Sequence, residues 1–396
     1  MVSRLRLILR ILVPFGALFL FPWLTGVEIY AAFVLQFFFF VSAIGLVTSP
    51  IEHMLIRLRS RSGYDLKLTQ LFWAYLSIAS TACLAASLSY ILFLGAVAQS
   101  GAGLLSILAV AVAAIAYQIG YFLKFFRSDW YYYYAESINY IVIALFCALV
   151  LAWGSLDLLV FSCISALAYL AVVATRLSQM VRQSVFKWPR PRRIVPMLLL
   201  AYRTTMLSSL LGVLVKRSDS LFLPALPVTS ETVLVYRLIR NFISSAPLVG
   251  NLYAQDVWMA RRVSNLRLPP ATFAILTVLM LLVLAALVWL YLMWTGISNP
   301  LQLADIVCIG FATAAAVYMA FNAVKYNLAF QEGRYKIVLA CSAPSFIIFL
   351  ALVVLGLLGR FDFTTYLLVL VFLPQLFNGA CIRVLMNKQH HKCPDI

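Results

Sequence analysis

Twelve apolar segments, each about 20 residues long, recur along the 396-residue chain and restrict what it can fold into. A run of this length crosses the hydrocarbon core of a bilayer as an α-helix, whereas the strands of a membrane barrel alternate apolar and polar residues over about ten positions. Only 11% of the residues are charged and the mean hydropathy is +0.99, which is atypical of a soluble domain. The sequence therefore predicts an all-α polytopic membrane protein. Its predicted spans are 11–27, 30–50, 68–95, 104–123, 134–153, 157–175, 194–225, 231–256, 269–294, 302–324, 337–358 and 364–385.

The lysines and arginines are distributed unevenly between the two sides of these spans. If the N-terminus is cytoplasmic, 24 of the 30 basic residues fall in cytoplasmic segments and the opposite connections contain only Arg360. The positive-inside rule then predicts that both termini are cytoplasmic. The net charge of +17 is therefore explained by the excess of basic residues in the cytoplasmic segments. The same positive charge also favours anionic membrane lipid as a partner. Because the basic residues are spread over seven short segments, they do not indicate nucleic-acid binding.

A basic connection with two prolines, RLSQMVRQSVFKWPRPRR, follows the sixth span. It predicts two domains: an N-terminal six-helix bundle, residues 1–188, and a C-terminal six-helix bundle, residues 189–396. Many transporters consist of two such bundles with the substrate path between them. The division therefore favours a transporter that works by alternating access.

Five cations remain, and all of them fall on the seventh and eighth spans: Arg203, Lys216, Arg217, Arg237 and Arg240. A cation at the bilayer centre costs about 2.5 kcal/mol or more, so such residues usually face a wet cavity or a partner. A helix turns about 100° per residue, so Arg203 and Arg217 are about 40° apart around the seventh span and Arg237 and Arg240 are about one turn apart on the eighth. Asp219 lies among them. The excess positive charge predicts that these residues line the path of an anionic substrate.

Alternative interpretations of the polar residues stay open at this stage. If the seventh span ended near Val215, then Lys216, Arg217 and Asp219 would extend to the outer headgroups instead. The apolar run 221–226 favours a longer span. A second set of polar residues could line the same cavity, although hydrogen bonding between helices is the commoner use of such groups. These residues are Asn241, Asn322 and Lys325.

Catalytic and metal chemistry find little support in the sequence. The three histidines are His53, His390 and His391, and the seven cysteines form no metal-ligand spacing. The outward connections are short and carry isolated acids, which leaves no paired acid and base for a membrane glycosyltransferase or polymerase. We therefore expect no catalytic residues, no metal and no cofactor.

Several local motifs resemble one transporter family. In KRSDSLFL, Asp219 occupies the acidic position that is common there, and in VYRLIRNF, Tyr236 matches the tyrosine of a Y-x-x-A motif. Pro247 follows, and NLAFQEGRYKIVL places Gly333 and Arg334 in a glycine-basic turn. With twelve spans in about 400 residues, the chain resembles the polysaccharide repeat-unit flippases (O-antigen, Wzx type) of the multidrug/oligosaccharidyl-lipid/polysaccharide exporter superfamily.

The resemblance implies a transporter that is not an enzyme. Such a flippase moves an undecaprenyl-pyrophosphate-linked oligosaccharide across the bacterial inner membrane for O-antigen, capsule or exopolysaccharide synthesis, alongside glycosyltransferases and a polymerase. The expected substrate-binding residues are Arg203, Lys216, Arg217, Arg237, Arg240, Asn241, Asn322 and Lys325. Asp219 would tune the neighbouring cations or take up a proton, and whether H⁺ or Na⁺ is coupled is left open. A drug antiporter of the same superfamily is the nearest alternative.

Overall fold

The computed structural model describes most of the chain. The described residues are 2–58, 64–94, 103–123, 129–182, 194–226, 228–259, 269–298, 301–331, 334–358 and 363–390, and within some helices only the backbone is described. These residues contain no strand and twelve α-helices. The helices are α1 (Val2–Thr25), α2 (Val27–Leu58), α3 (Tyr64–Ser89), α4 (Leu104–Leu123), α5 (Asp129–Trp153), α6 (Leu158–Arg182), α7 (Ile194–Phe222), α8 (Ser230–Met259), α9 (Pro270–Thr295), α10 (Leu303–Gln331), α11 (Tyr335–Leu358) and α12 (Phe363–His390).

Each predicted span coincides with one of these helices, so the all-helical fold class is confirmed. Several helices extend beyond their apolar segments, as α2 does by eight residues to Leu58. Backbone hydrogen bonding propagates a helix whether or not the side chains are apolar, and α2 continues beyond Pro50 at the end of its apolar run. The third span differs in detail because α3 ends at Ser89 and continues as a π-helical turn, Tyr90–Leu94.

Eight helical segments in the described part of the chain are long and apolar enough to cross a membrane: Val27–Ile51, Phe72–Leu92, Leu104–Leu123, Leu158–Arg182, Pro270–Thr295, Leu303–Ala323, Lys336–Gly356 and Leu368–Met386. Two shorter apolar helical segments, Leu12–Thr25 and Ile138–Trp153, accompany them. Large apolar side chains also remain exposed along α9, where Leu282 is 64% and Met293 68% accessible. An exposed apolar surface of this kind is typical of a helix that faces the hydrocarbon of a lipid bilayer. The protein is a multi-pass membrane protein.

The chain divides into two compact units. The first unit contains Met1–Arg203 and Ser220–Leu234, and the second contains Thr204–Asp219 and Val235–Ile396. The predicted domain boundary between residues 188 and 189 falls in the segment 183–193, outside the described residues, and it stays a prediction.

Aromatic rings and a buried amide hold the helices of the first unit together. Phe33 on α2 makes an edge-on contact with Phe161 on α6, with ring centroids 4.8 Å apart. Gln118 on α4 donates its Nε2 hydrogen to the Val41 carbonyl of α2 at 2.8 Å, and the Tyr75 hydroxyl of α3 donates to the Gln118 carbonyl at 3.2 Å. Such contacts join helices in lipid, where the hydrophobic effect between helices is weak.

In the second unit, α10 packs against α9, α11 and α12, and α12 packs against α11. The α8 helix approaches α10 closely at Gly250. A Cβ atom added at Gly250 would overlap the backbone of Ala320, including its carbonyl oxygen. Glycine is therefore required at this position by the spacing of the two helices.

We expect the Gly250→Ala substitution to destabilise the protein by about 1–3 kcal/mol, because the added methyl group meets backbone that cannot rotate away. The matched control is Gly310→Ala on α10, where an added Cβ has nothing within 4 Å and alanine favours the helix. The midpoint of thermal unfolding in detergent should fall for Gly250→Ala alone. Equal midpoints for the two variants would show that the helices are not in close contact there.

Candidate functional site

The charged sequence KRSD lies inside α7, three residues or more before the helix ends at Phe222. Ser218 is fully buried and Asp219 is 2% exposed, whereas Lys216 is exposed and Arg217 is half-buried. The helix therefore continues past Val215, and Asp219 is buried within the protein. The position of Lys216 and Arg217 relative to the headgroups stays a prediction. The apolar residues that follow the charges allow the helix to continue.

Asp219 is the centre of a polar cluster that joins α7 to α8. Its Oδ2 atom accepts hydrogen bonds from the Tyr236 hydroxyl at 3.0 Å and from Nε of Arg240 at 3.3 Å. The same oxygen lies 3.9 Å from Nη1 of Arg237. The side chains of Asp219 and Arg237 are 2% and 4% exposed, so this is a buried ion-pair cluster. In these described contacts, one carboxylate faces two guanidinium groups.

Arg240 connects this cluster to open space. One of its Nη atoms donates to the Lys216 carbonyl at 3.0 Å, and the other donates to the Ser244 hydroxyl. The guanidinium group also lies over the Phe372 ring, 5.1 Å from its centroid, which is a cation–π distance. These contacts fix the direction of the side chain, and a preorganised guanidinium group loses little entropy when it binds a ligand.

A cavity of about 460 Å³ lies within the second unit, between α7, α8, α10, α11 and α12. This volume is in the range of small-molecule binding sites. The polar lining from α7 and α8 comprises Lys216, Arg217, Arg240 and Ser244. The polar lining from the other helices comprises Asn322, Tyr326, Ser342, Ser345, Gln375 and Asn378.

Charge is distributed unequally over the lining. All three charged residues that line the cavity are cations on α7 and α8, and the described lining contains no carboxylate. The Lys216 ammonium lies 4.8 Å from the centroid of the Tyr326 ring, which holds it at the edge of the space. A cavity with this lining attracts anions and repels cations.

The structure brings part of the predicted residue set together. Lys216, Arg217, Arg240 and Asn322 line the cavity. Arg237 and Asp219 lie behind this lining, in the buried cluster.

The remaining predicted residues are placed differently. The described cavity lining does not include Asn241 or Lys325. Arg203 lies on α7, but its side chain is outside the described residues.

Sequence reasoning did not identify the cavity residues on α11 and α12. Their signal is a pair of uncharged polar residues three positions apart in an apolar span: Ser342 with Ser345, and Gln375 with Asn378. Residues three apart lie on one face of a helix, so each pair marks one polar stripe. Tyr326 and Phe372, which hold the cations, carry no signal of their own in the sequence.

Comparison with known proteins adds no assignment to this geometry. No protein-family model matches the chain. No curated protein sequence is significantly similar to it.

Proposed function

We propose that the protein is a flippase that carries a polyprenyl-diphosphate-linked oligosaccharide across the membrane. The observation that carries this proposal is the cavity of the second unit, which is lined by Lys216, Arg217 and Arg240 and by no carboxylate among the described lining residues. The charge of the cavity suits an anionic head group. The motif resemblance to polysaccharide repeat-unit flippases points to the same substrate.

The physical task of such a flippase fits these residues. A diphosphate group loses its hydration when it enters a bilayer, at a cost of many kcal/mol for an unpaired charge. Guanidinium and ammonium groups replace the lost water with charge-assisted hydrogen bonds, and arginine can bind phosphate oxygens bidentately. The polyprenyl tail stays in the hydrocarbon, so only the polar head needs the cavity. Opening of the cavity to alternate sides of the membrane would carry the head group across.

The position of Asp219 favours this proposal over a drug antiporter. Export of cationic drugs calls for a carboxylate in the cavity, where it can meet the positive charge of the drug. Asp219 instead lies buried against Arg237 and Arg240, which neutralise it. An anionic substrate is therefore better matched than a cationic one.

The proposal includes a topology of twelve spans in two six-helix bundles, with both termini in the cytoplasm of a bacterial cell and the spans in its inner membrane. The uneven distribution of basic residues supports this orientation. We expect a reporter active only in the cytoplasm to be active when fused after residue 396 or in the connection 183–193. The same reporter should be inactive in the connection 359–362. Activity at 359–362 would contradict the orientation.

The activity is tested by reconstitution in lipid vesicles. A short polyprenyl diphosphate carrying one fluorescent sugar is added, and a membrane-impermeant reagent that destroys the exposed fluorophore measures how much has changed leaflet. Vesicles with the protein should transfer the lipid much faster than empty vesicles. Transfer no faster than in empty vesicles, by protein that is folded and correctly inserted, would refute the proposal.

A further inference from the structure

The lining of the cavity has two chemically different sides. The cationic wall consists of Lys216, Arg217 and Arg240 on α7 and α8. The neutral wall carries uncharged polar groups. It consists of Asn322, Ser342, Ser345, Gln375 and Asn378 on α10, α11 and α12. A diphosphate group alone would need the cationic wall only. The neutral wall calls for a second chemical group in the ligand.

Part of the hydrogen-bonding capacity of the neutral wall is used within the protein. The Ser345 hydroxyl donates to the Cys341 carbonyl at 2.8 Å, and Nδ2 of Asn322 donates to the Tyr318 carbonyl at 3.1 Å. Nδ2 of Asn378 points to the Ser342 hydroxyl at 3.5 Å. Each of these two amides keeps a second N–H hydrogen and a carbonyl oxygen, and the Gln375 amide lines the same wall, so the wall offers uncharged donors and acceptors.

One of these acceptors has no hydrogen bond among the described residues. The Oδ1 atom of Asn378 is buried, and no protein donor in the described part of the chain reaches it. A buried acceptor of this kind is unfavourable until a donor arrives. Asn378 lines the cavity, and a rotation of its side-chain amide would turn this oxygen toward a donor on a ligand.

A fully ionised diphosphate group cannot supply the donor that Asn378 Oδ1 lacks among the described residues, because its oxygens are acceptors only. Sugar hydroxyl groups are both donors and acceptors, and they carry no charge. We propose that the neutral wall is the binding site for the sugar next to the diphosphate, and that Asn322, Gln375 and Asn378 determine which sugar is accepted. This inference rests on the proposed function and assigns the two walls to the two parts of one head group.

The volume of the cavity agrees with a site for the diphosphate and one adjoining sugar. A volume of about 460 Å³ suits a small ligand rather than a long glycan. The cavity therefore selects on the diphosphate and the adjoining sugar. A site that hydrogen-bonds a hydroxyl group discriminates strongly against a ligand that lacks it, because its own polar groups are then left unpaired.

Binding to the purified full-length protein tests the inference with three probes. These are farnesyl diphosphate and its derivatives with one hexose or one N-acetylhexosamine on the terminal phosphate. We expect the wild type to bind at least one glycosylated probe about tenfold more tightly than farnesyl diphosphate. Asn378→Leu and Gln375→Met should each reduce this preference about three- to tenfold and leave the affinity for farnesyl diphosphate unchanged.

Two further variants separate the possible outcomes. Lys216→Gln should weaken the binding of all three probes by a similar factor, and Thr277→Val on α9, outside the described cavity lining, should change none. The inference is overturned if the wild type binds the three probes equally, or if Asn378→Leu and Gln375→Met, with unchanged thermal unfolding, retain the preference. If the wild type binds none of the probes, the proposed function itself fails.

Discussion

Replacing Asp219 with asparagine should destabilise the protein by about 3–5 kcal/mol, which is the cost of removing one partner from a buried ion pair. The substitution preserves the shape of the side chain and removes its charge. Arg237 and Arg240 would then keep their charges without the carboxylate that lies 3.9 and 3.3 Å from them. The fall should be visible as a lower midpoint of thermal unfolding in detergent and as a lower yield of monodisperse protein.

The controls for this substitution separate charge from hydrogen bonding. Tyr236→Phe removes one hydrogen bond to Asp219 and should cost about 1 kcal/mol. Asp157→Asn makes the same chemical change at an exposed helix start, where Asp157 accepts from the Val160 amide and asparagine caps equally well. Adding Arg237→Met to Asp219→Asn should recover part of the loss, since one uncompensated cation is removed. An Asp219→Asn protein as stable as Asp157→Asn would refute the buried ion-pair cluster.

Replacing Lys216 with glutamine should reduce flipping of a polyprenyl-diphosphate-linked sugar by about tenfold or more, because a charge-assisted hydrogen bond contributes about 1.5–3 kcal/mol. Lys216 lines the cavity, is exposed, and contacts the Tyr326 ring, so its loss leaves the Asp219 cluster in place. The initial rate in the vesicle assay measures the effect. Thermal unfolding of the variant should match that of the wild type.

Two matched variants show whether the charge at this position is what matters. Lys216→Arg keeps a cation at the cavity and should retain most of the rate. Lys336→Gln removes an exposed lysine from the first turn of α11, outside the described cavity lining, and should have no effect. A Lys216→Gln protein that flips the lipid at the wild-type rate would remove Lys216 from the substrate path.

The sequence predicts the helices of this protein well because one physical rule dominates them. A segment of about 20 apolar residues has no way to satisfy its backbone in lipid other than as a helix. The continuation of α7 to Phe222 also follows from the sequence, since apolar residues resume after Asp219. The clustering of cations on α7 and α8 can be read directly from the sequence.

The pairing within the site could not be predicted in the same way. Asp219 meets Tyr236 and Arg240, which are 17 and 21 residues away on the next helix. Helical periodicity gives the side of each helix but not the rotation of one helix against another. Sequence reasoning therefore grouped Arg237 with the cavity residues, although it lies in the buried cluster with Asp219.

The neutral wall was missed for a related reason. A serine or asparagine in an apolar helix usually hydrogen-bonds to a carbonyl of its own helix, as Ser345 does to Cys341. Such a residue has the same sequence signature whether it faces a cavity or a neighbouring helix. Only the packing of α10, α11 and α12 places Asn322, Ser345 and Asn378 around one space.

The central claim is that the cavity holds an anionic lipid head group. It is tested most directly by comparing the binding of two lipids with the same tail, farnesyl diphosphate and farnesyl trimethylammonium, to the purified protein. We expect the diphosphate to bind, to weaken as salt is raised, and to lose affinity in Lys216→Gln, whereas the ammonium lipid should not bind. Tighter binding of the ammonium lipid, with no effect of Lys216→Gln on the diphosphate, would contradict the account.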